Sequence, residues 1–180
     1  MPVFFIILSM TEFQKYIQRY QDLVPSENWI EEMKISGERT SSLYKFLSEE
    51  QENFAYAAGK WTLKEVLQHL IDAEKIFAYR ALRFAREDKT PLPGWDEEDY
   101  GKTYSLENRN IESLVEEFET IRKSSVIFFG NLDQIQLSHT GIANGNEISV
   151  EHLGKLTVGH NIHHLNVIDE RYMTTITPLL

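Results

Sequence analysis

The residues best suited to chemistry in this chain are histidines, and three of its six histidines fall within residues 159–164. His160 and His164 are four residues apart, so on an α-helix they would lie on one face, one turn above the other. Imidazoles on an apolar face either form hydrogen bonds with buried partners or bind a metal ion. A spacing of four residues lets two ring nitrogens converge on one ion. At about 100° per residue, the apolar residues sharing this face are Leu153, Leu156, Val167 and Ile168.

His69 offers a third ligand, from a separate segment that also has helical periodicity. It lies on an apolar stripe, as His160 and His164 do. Three neutral imidazoles would hold one divalent ion and leave a position open for water or substrate, as catalytic sites do. We expect zinc or nickel, with iron or manganese as alternatives. His163 projects about 60° to the other side of His160 and competes as a ligand, but we expect it to hydrogen-bond Glu170 or to line the pocket.

Further residues are predicted to surround the histidines. Asp72, one turn after His69, is expected either to accept a hydrogen bond from a histidine or to be a surface carboxylate. Arg80 lies about 20° from His69 on the same stripe. There it would be either a buried ion-pair partner or a binder of an acidic substrate. Tyr79 and Trp95 are candidates for the pocket wall, although aromatic side chains also pack in cores by default.

The elements that must position these side chains are helices. Apolar residues recur at helical spacing in one short and four long segments, near residues 11–23, 26–48, 62–86, 105–130 and 149–173. Thr62 and Glu65 have the spacing of a capping box, in which each side chain bonds the other's backbone amide. The residues predicted to cap or begin the long helices are Ser26, Thr62, Ser105 and Ser149.

The connecting segments lack regular periodicity. Residues 49–60 are polar, and residues 88–104 form a long loop with proline and glycine, of the kind that is often functional. A second loop contains the Asn144-Gly145 dipeptide, and no stretch alternates convincingly as a strand would. The chain is therefore predicted to be all-α, an antiparallel four-helix bundle with a short extra N-terminal helix. Metal sites in such bundles are built from facing helices.

Composition restricts the class of protein further. The net charge of −10 and the absence of a basic run argue against nucleic-acid binding. The absence of cysteine excludes disulfides and zinc–thiolate sites and fits a cytoplasmic location. The apolar opening is too short to span a membrane, so no membrane partner is expected. We interpret residues 1–10 as an N-terminal extension, expected to be disordered, with Met10 as a hypothetical true start. Residues 11–180 are predicted to form one domain.

Four segments together resemble the DinB-like superfamily, also called DinB/YfiT. They are residues 59–74 (GKWTLKEVLQHLIDAE), 77–82 (FAYRAL), 88–94 (DKTPLPG) and 159–164 (GHNIHH). The resemblance covers roughly residues 30–174. It implies a four-helix bundle, often a homodimer, with a divalent metal held by His69, His160 and His164. Members with known activity are similar to metal-dependent S-transferases that use thiols such as bacillithiol or mycothiol, or to maleylpyruvate isomerases.

These observations leave a small set of functional hypotheses. The first is a metal-dependent enzyme, a low-molecular-weight thiol S-transferase or a hydrolase, acting on a small-molecule thiol and an electrophilic substrate. The alternative is a non-catalytic metal-binding module of a stress response, and a third is a structural bundle with hydrogen-bonded core histidines. A di-iron carboxylate site is disfavoured because the histidine pair lacks the required Glu-x-x-His pattern. An apolar stripe opposite His160 is expected to pack on a neighbouring helix or a second subunit and consists of Val158, Ile162 and Leu165.

Overall fold

Four long helices lie side by side in the computed structural model, which describes residues 10–176 of the chain. They are α2 (Trp29–Lys45), α4 (Leu63–Ala85), α6 (Ile111–Gly130) and α8 (Val150–Val167), and α1 (Glu12–Gln21) packs on the outside of α8. Residues 1–9 of the interpreted N-terminal extension (residues 1–10) lie outside the described residues. The elements in chain order are α1 Glu12–Gln21, α2 Trp29–Lys45, α3 Glu49–Glu52, α4 Leu63–Ala85, α5 Glu97–Gly101, α6 Ile111–Gly130, α7 Gln134–Ser138, β1 Thr140–Ala143, β2 Asn146–Ser149, α8 Val150–Val167, a π-helical segment Ile168–Met173, and α9 Thr174–Ile176.

The predicted four-helix bundle is confirmed, and side-chain contacts give the helix directions. Trp29 at the start of α2 packs on Phe129 at the end of α6, so these two helices are antiparallel. The helices α4 and α8 are antiparallel as well, because residues further along α4 contact residues earlier in α8. In contrast, α4 and α6 run parallel. Gln68 bonds Arg109 just before α6, and Lys75, later in α4, pairs with a glutamate inside α6.

The connection between α4 and α6 is long because these two adjacent helices run parallel. The chain leaves α4 at Ala85 and enters α6 near the level of Gln68, so it must travel back about 25 Å along the bundle. On the way it forms the short helix α5 and places Trp95 against His69. The predicted loop of residues 88–104 is therefore a crossover that passes over the histidines.

A buried polar layer separates two apolar clusters in the bundle. One cluster surrounds Trp29 and Phe129 and the other surrounds Tyr44 and Phe118. Because buried polar groups are costly without partners, this layer must be internally satisfied. Its buried members are Ser36 and Thr40 of α2, His69 and Glu74 of α4, Arg122 of α6, and His160 and Asn161 of α8.

Arg122 connects all four long helices through this layer. Its guanidinium group forms a bidentate pair with the Glu74 carboxylate, at 2.8 and 3.0 Å. It also donates to the Met33 carbonyl at 2.8 Å and to Asn161 Oδ1 at 3.0 Å. Gly37 makes room for it, since a Cβ at that position would lie 2.8 Å from Arg122 Cγ. We call this set the Arg122 network.

The structure corrects the prediction that the chain has no strands. β1 and β2 pair as an antiparallel hairpin. Asn144 and Gly145 connect them, with φ of 50° and 74°, which is the backbone that a two-residue type I′ turn requires. The Asn-Gly dipeptide was the available signal. Leu92 of the crossover donates to the Ile142 carbonyl at 2.9 Å, so the hairpin also anchors the crossover. The short helices α3 and α5 lie in segments predicted to be irregular.

Two predicted helix starts are also corrected. α2 begins after Asn28, whose side chain accepts from a backbone amide in the first turn, whereas the Ser26 hydroxyl donates to a glutamate side chain. α6 begins after Asn110, whose side chain accepts from the Ser113 amide at 2.9 Å, and not at Ser105. Side-chain oxygens at these positions replace missing helical partners. The caps predicted at Thr62 and Ser149 are confirmed.

The apolar stripe on α8 is buried within the chain. Val158, Ile162 and Leu165 are all at most 9% exposed. A second subunit is therefore not needed to cover them, and the homodimer stays a prediction. Within residues 10–176, no helix combines the length and the apolar character that crossing a membrane requires.

We expect Glu74→Ala to destabilise the protein by about 3–5 kcal/mol, because it leaves the buried Arg122 charge without its carboxylate partner. Lys75→Ala is the matched control. It truncates the next residue of α4, whose ion pair with Glu117 is partly exposed, and should cost about 1 kcal/mol or less. Urea denaturation measures both. Equal losses for the two variants would contradict a special role for the Arg122 network.

Candidate metal centre

The three predicted histidine ligands lie together, although they come from two helices 91 residues apart in the chain. His160 Nε2 is 3.0 Å from His69 Nε2 and 3.2 Å from His164 Nε2. The nitrogens of all three rings lie within 4.8 Å of one another, with His69 and His160 buried and His164 partly exposed. The spacing of four residues on α8 aligns His160 with His164, and the antiparallel packing of α4 brings His69 to the same point.

Two of the three separations among these nitrogens are those expected of ligands on one ion. Two nitrogens about 2.0–2.1 Å from a tetrahedral zinc ion lie about 3.3 Å apart, close to the 3.0 and 3.2 Å found here. Hydrogen bonding alone does not satisfy the arrangement. A neutral imidazole nitrogen either donates one hydrogen bond or accepts one, so His160 Nε2 can pair with only one of the two nitrogens beside it. Nitrogens whose lone pairs face each other repel. A cation among them removes that repulsion.

Burial keeps the three rings in their neutral, metal-binding form at neutral pH. Loss of solvent, with a smaller contribution from the nearby His163, lowers the pKa of His69 to about 4. Burial also lowers the pKa values of His160 and His164 well below the ordinary value, with repulsion from the neighbouring histidines as the next cause. A metal would therefore displace few protons near pH 7.

Two tryptophans fix the ring of His69. The Trp61 ring centroid lies 4.8 Å from that of His69, and Trp95 stacks on it at 5.8 Å with 26° between the planes. His69 Nδ1 is buried and has no hydrogen-bond partner among the described residues. Metal-binding histidines are usually oriented by a hydrogen bond to that second nitrogen. Here aromatic packing takes its place.

The helix α1 closes the site from the α8 side. Gly159 permits this approach, because a Cβ there would lie 2.0 Å from the Tyr20 carbonyl oxygen. As a result, the Tyr20 ring meets His160 edge-on at 5.8 Å and His163 at 5.4 Å. The structure thus gives His163 a packing role beside the site. Burial and then Arg19 lower the pKa of His163, and Glu170 opposes them. No hydrogen bond between His163 and Glu170 is present among the described residues.

A cavity of about 290 Å³ opens beside His160. It lies where α1, α4, the crossover, the hairpin and α8 meet. Trp95 forms part of its wall, as predicted, and so do Phe77 and the side chain of Arg80. Arg80 donates to the Pro93 carbonyl at 2.8 Å. The sequence left two alternatives for Arg80, a buried ion-pair partner or a binder of an acidic substrate. No ion pair between Arg80 and a carboxylate is found among the described residues.

Two predicted neighbours lie elsewhere. Asp72 accepts a hydrogen bond from Gln68 Nε2 at 2.9 Å, and no bond to a histidine is found among the described residues, which favours the alternative of a helix-surface carboxylate. Asp72 lies beside Tyr104 of the crossover, and burial first and the Asp72 carboxylate second raise the pKa of Tyr104. Tyr79 is 52% exposed, receives a hydrogen bond from Arg83, and does not line the cavity. Tyr79 directly precedes Arg80 in sequence, so it projects about 100° away from Arg80 around the helix and away from the cavity.

Sequence reasoning missed several residues that shape the site. Trp61 and Tyr20 contact the histidines, and Asn161 ties α8 to the Arg122 network. Asn161, next to His160, could have been predicted to form buried hydrogen bonds, since an amide on a buried helix face needs partners. Trp61 precedes the capping box of α4 and had no periodic signal of its own. Tyr20 had helical spacing, but only the three-dimensional structure shows which helix it covers.

With this geometry established, comparison with known proteins identifies the family. The chain belongs to the DinB superfamily, whose sequence profile matches residues 32–168. The resemblance inferred from the four motifs is therefore confirmed.

Similar proteins carry names that refer to a metal. A protein of Oceanobacillus iheyensis named "Putative metal-dependent hydrolase OB0413" is 24% identical over 139 residues, covering 76% of this chain and 79% of that protein. A second from the same organism, "Putative metal-dependent hydrolase OB0782", is 25% identical over 146 residues, covering 76% and 80%. The solved structure of YfiT from Bacillus subtilis, described as "a probable metal-dependent hydrolase with an unusual four-helix bundle topology", is similar with a TM-score of 0.72 and 18% identity. That match covers 91% of this chain and 88% of YfiT and supports the fold.

Protonation of the cluster is expected to destabilise the metal-free protein. The pKa of His69 is about 4 in the folded chain and about 6.5 when unfolded. Between these values the unfolded chain binds a proton that the folded chain does not, so the free energy of unfolding falls as pH falls from about 6.5 towards 4. One such histidine contributes a slope of up to about 1.4 kcal/mol per pH unit.

Urea denaturation of metal-free protein at pH 7, 6 and 5 measures this slope. His69→Gln should show a shallower fall than wild type, whereas His152→Gln, which changes an exposed histidine, should match wild type. A slope in His69→Gln as steep as that of wild type would show that His69 is not held neutral by burial.

Proposed function

We propose that this protein is a divalent-metal-dependent enzyme in which His69, His160 and His164 hold the ion. One observation carries the proposal: three Nε2 atoms converge where His160 also forms the wall of a 290 Å³ cavity. The three protein ligands leave a coordination position for a reacting molecule. Zinc and nickel suit an all-imidazole donor set, and iron and manganese are the alternatives.

A divalent ion at this position would lower the pKa of a water or thiol molecule bound to it and so supply a nucleophile at neutral pH. The chain contributes the rest. Trp61 and Trp95 hold His69 in place, and the buried surroundings keep the imidazoles neutral. The apolar side chains of Phe77 and Leu156 line the cavity and restrict water beside a bound electrophile.

Two reactions use this arrangement. In hydrolysis, the water oxygen forms a bond to the electrophilic centre, the leaving group departs with the electrons of its bond, and a water proton passes to the leaving group or to solvent. In thiol transfer, sulfur forms a bond to the electrophilic carbon, the leaving group departs with the electrons of its bond, and the thiol proton passes to solvent. The names of the Oceanobacillus relatives support hydrolysis, and the resemblance to thiol-using members of the family supports transfer.

The cavity favours an enzyme over a non-catalytic metal-binding module. A module that stores or senses metal needs only the ligands, and a closed site serves it best. Here one ligand, His160, faces a cavity with both charged and apolar walls, the usual composition of a small-molecule site. A cytoplasmic location and a homodimer remain predictions and are part of this proposal.

We expect about one metal ion per chain after purification without an affinity tag, and its loss in His69→Ala, His160→Ala and His164→Ala, because each change removes one of three ligands. His163→Ala is the matched control, since it changes the adjacent histidine of α8, and it should keep the metal. Elemental mass spectrometry measures the content. Wild-type protein that stays metal-free after incubation with zinc, nickel and manganese would overturn the proposal.

Activity separates hydrolase from transferase. We expect the metal-loaded protein to consume members of a panel of electrophilic substrates, with His164→Ala at least about 100-fold slower because the nucleophile is no longer activated. Mass spectrometry of products formed with and without a low-molecular-weight thiol identifies the reaction. A thioether product that requires the thiol indicates transfer, and a product that contains water indicates hydrolysis. Bound metal without turnover of any panel member in either condition would favour the non-catalytic module.

A further inference from the structure

The side chain of Arg80 is a cation that no carboxylate of the described residues balances. It is 9% exposed and lies on α4 three turns beyond His69, and it lines the cavity that His160 also lines. Burial lowers its pKa, but arginine stays charged at any physiological pH. Buried charges are normally paired, so a single unpaired guanidinium group facing a cavity calls for a ligand.

Arg80 is also held in a fixed orientation. One of its terminal nitrogens donates to the Pro93 carbonyl at 2.8 Å. Pro93 follows Leu92, which is bonded to the hairpin in both directions, through its amide to Ile142 and its carbonyl to Asn144. A guanidinium group has five N–H donors, and this contact uses one of them. No other hydrogen bond of Arg80 is found among the described residues, and a free guanidinium edge can bind two carboxylate oxygens.

The other charged groups around the cavity define which end of it attracts an anion. Glu97 of α5 also lines the cavity, but it is exposed and belongs to an acidic segment with Asp96 and Glu98. Partial burial first, and then these two carboxylates, raise the pKa of Glu97. Among the ion pairs of the described residues, none joins Glu97 to Arg80. A negatively charged group is therefore repelled at the Glu97 rim and attracted to the buried Arg80 end.

We propose that this cavity binds a substrate through a carboxylate group, which Arg80 holds while the apolar part of the molecule lies against Phe77 and Leu156 beside His160. This inference rests on the proposed function, because it assigns the substrate class to the same site. It adds that the substrate is a small carboxylic acid with an apolar body and not a neutral electrophile. Arg80 is thus a specificity-determining residue.

The test compares two probes of equal length, hexanoate and 1-hexanol, by isothermal titration calorimetry on the metal-loaded protein. Hexanoate should bind wild-type protein at least tenfold more tightly than 1-hexanol, since a charge-assisted pair replaces a neutral contact. Arg80→Gln should remove that preference and leave 1-hexanol binding unchanged. Arg83→Gln is the matched control. It removes a cation one turn along the same helix that is already paired with Asp88, and it should keep the preference.

Three outcomes would overturn the proposal. They are equal binding of both probes to wild type, equal weakening of both probes by Arg80→Gln, and loss of the preference on stripping the metal, which would mean that the ion and not Arg80 binds the carboxylate. If Arg80→Gln fails to fold, Arg80→Lys provides the test, because retained charge should preserve a hexanoate preference of at least threefold. Binding is measured without turnover, so this result stands apart from whether the protein is a hydrolase or a transferase.

Discussion

The buried charge of Arg122 is the constraint on which the rest of the structure depends. The Arg122 side chain is 7% exposed, so its guanidinium group needs partners within the protein. Arg122 belongs to α6, and its partners come from α2, α4 and α8. Such a pair adds little net stability over apolar packing, but losing one partner is costly, so it fixes the relative positions of its helices. Its partner Asn161 directly follows His160, and Glu74 lies five residues after His69. The network that sets the helix register therefore also sets where the metal-binding nitrogens meet.

The direction of the helices determines what surrounds those nitrogens. Because α4 and α6 run parallel, the chain between them crosses the length of the bundle, and the crossover passes the histidines and supplies Trp95 and the Pro93 carbonyl. The hairpin anchors that crossover, and Gly159 lets α1 close the other side. Thus the bundle provides the ligands, whereas the connections provide the cavity and the orientation of Arg80.

Much of this could be predicted from local pattern. Periodicity located the long helices, and the four-residue spacing of His160 and His164 placed both rings on one face. His69 was found because a histidine on an apolar stripe is unusual. The remainder depended on tertiary position. The Asn144-Gly145 turn was visible, but its short strands lack clear alternation. Asp72 has the right spacing from His69 but faces Gln68 because side-chain direction, not sequence distance, decides contacts. Trp61 and Tyr20 reach the histidines only through the packing of other elements.

X-ray absorption at the metal K-edge tests the central claim, an open site with three histidine ligands, most directly. For zinc-loaded protein, we expect three imidazole nitrogens at about 2.0–2.1 Å from the zinc ion, together with one light ligand that the chain does not supply. Addition of a small thiol that binds at the open position should replace this ligand with sulfur at about 2.3 Å. A spectrum with four protein ligands that thiol and other small ligands leave unchanged, or one without imidazole scattering, would contradict the account.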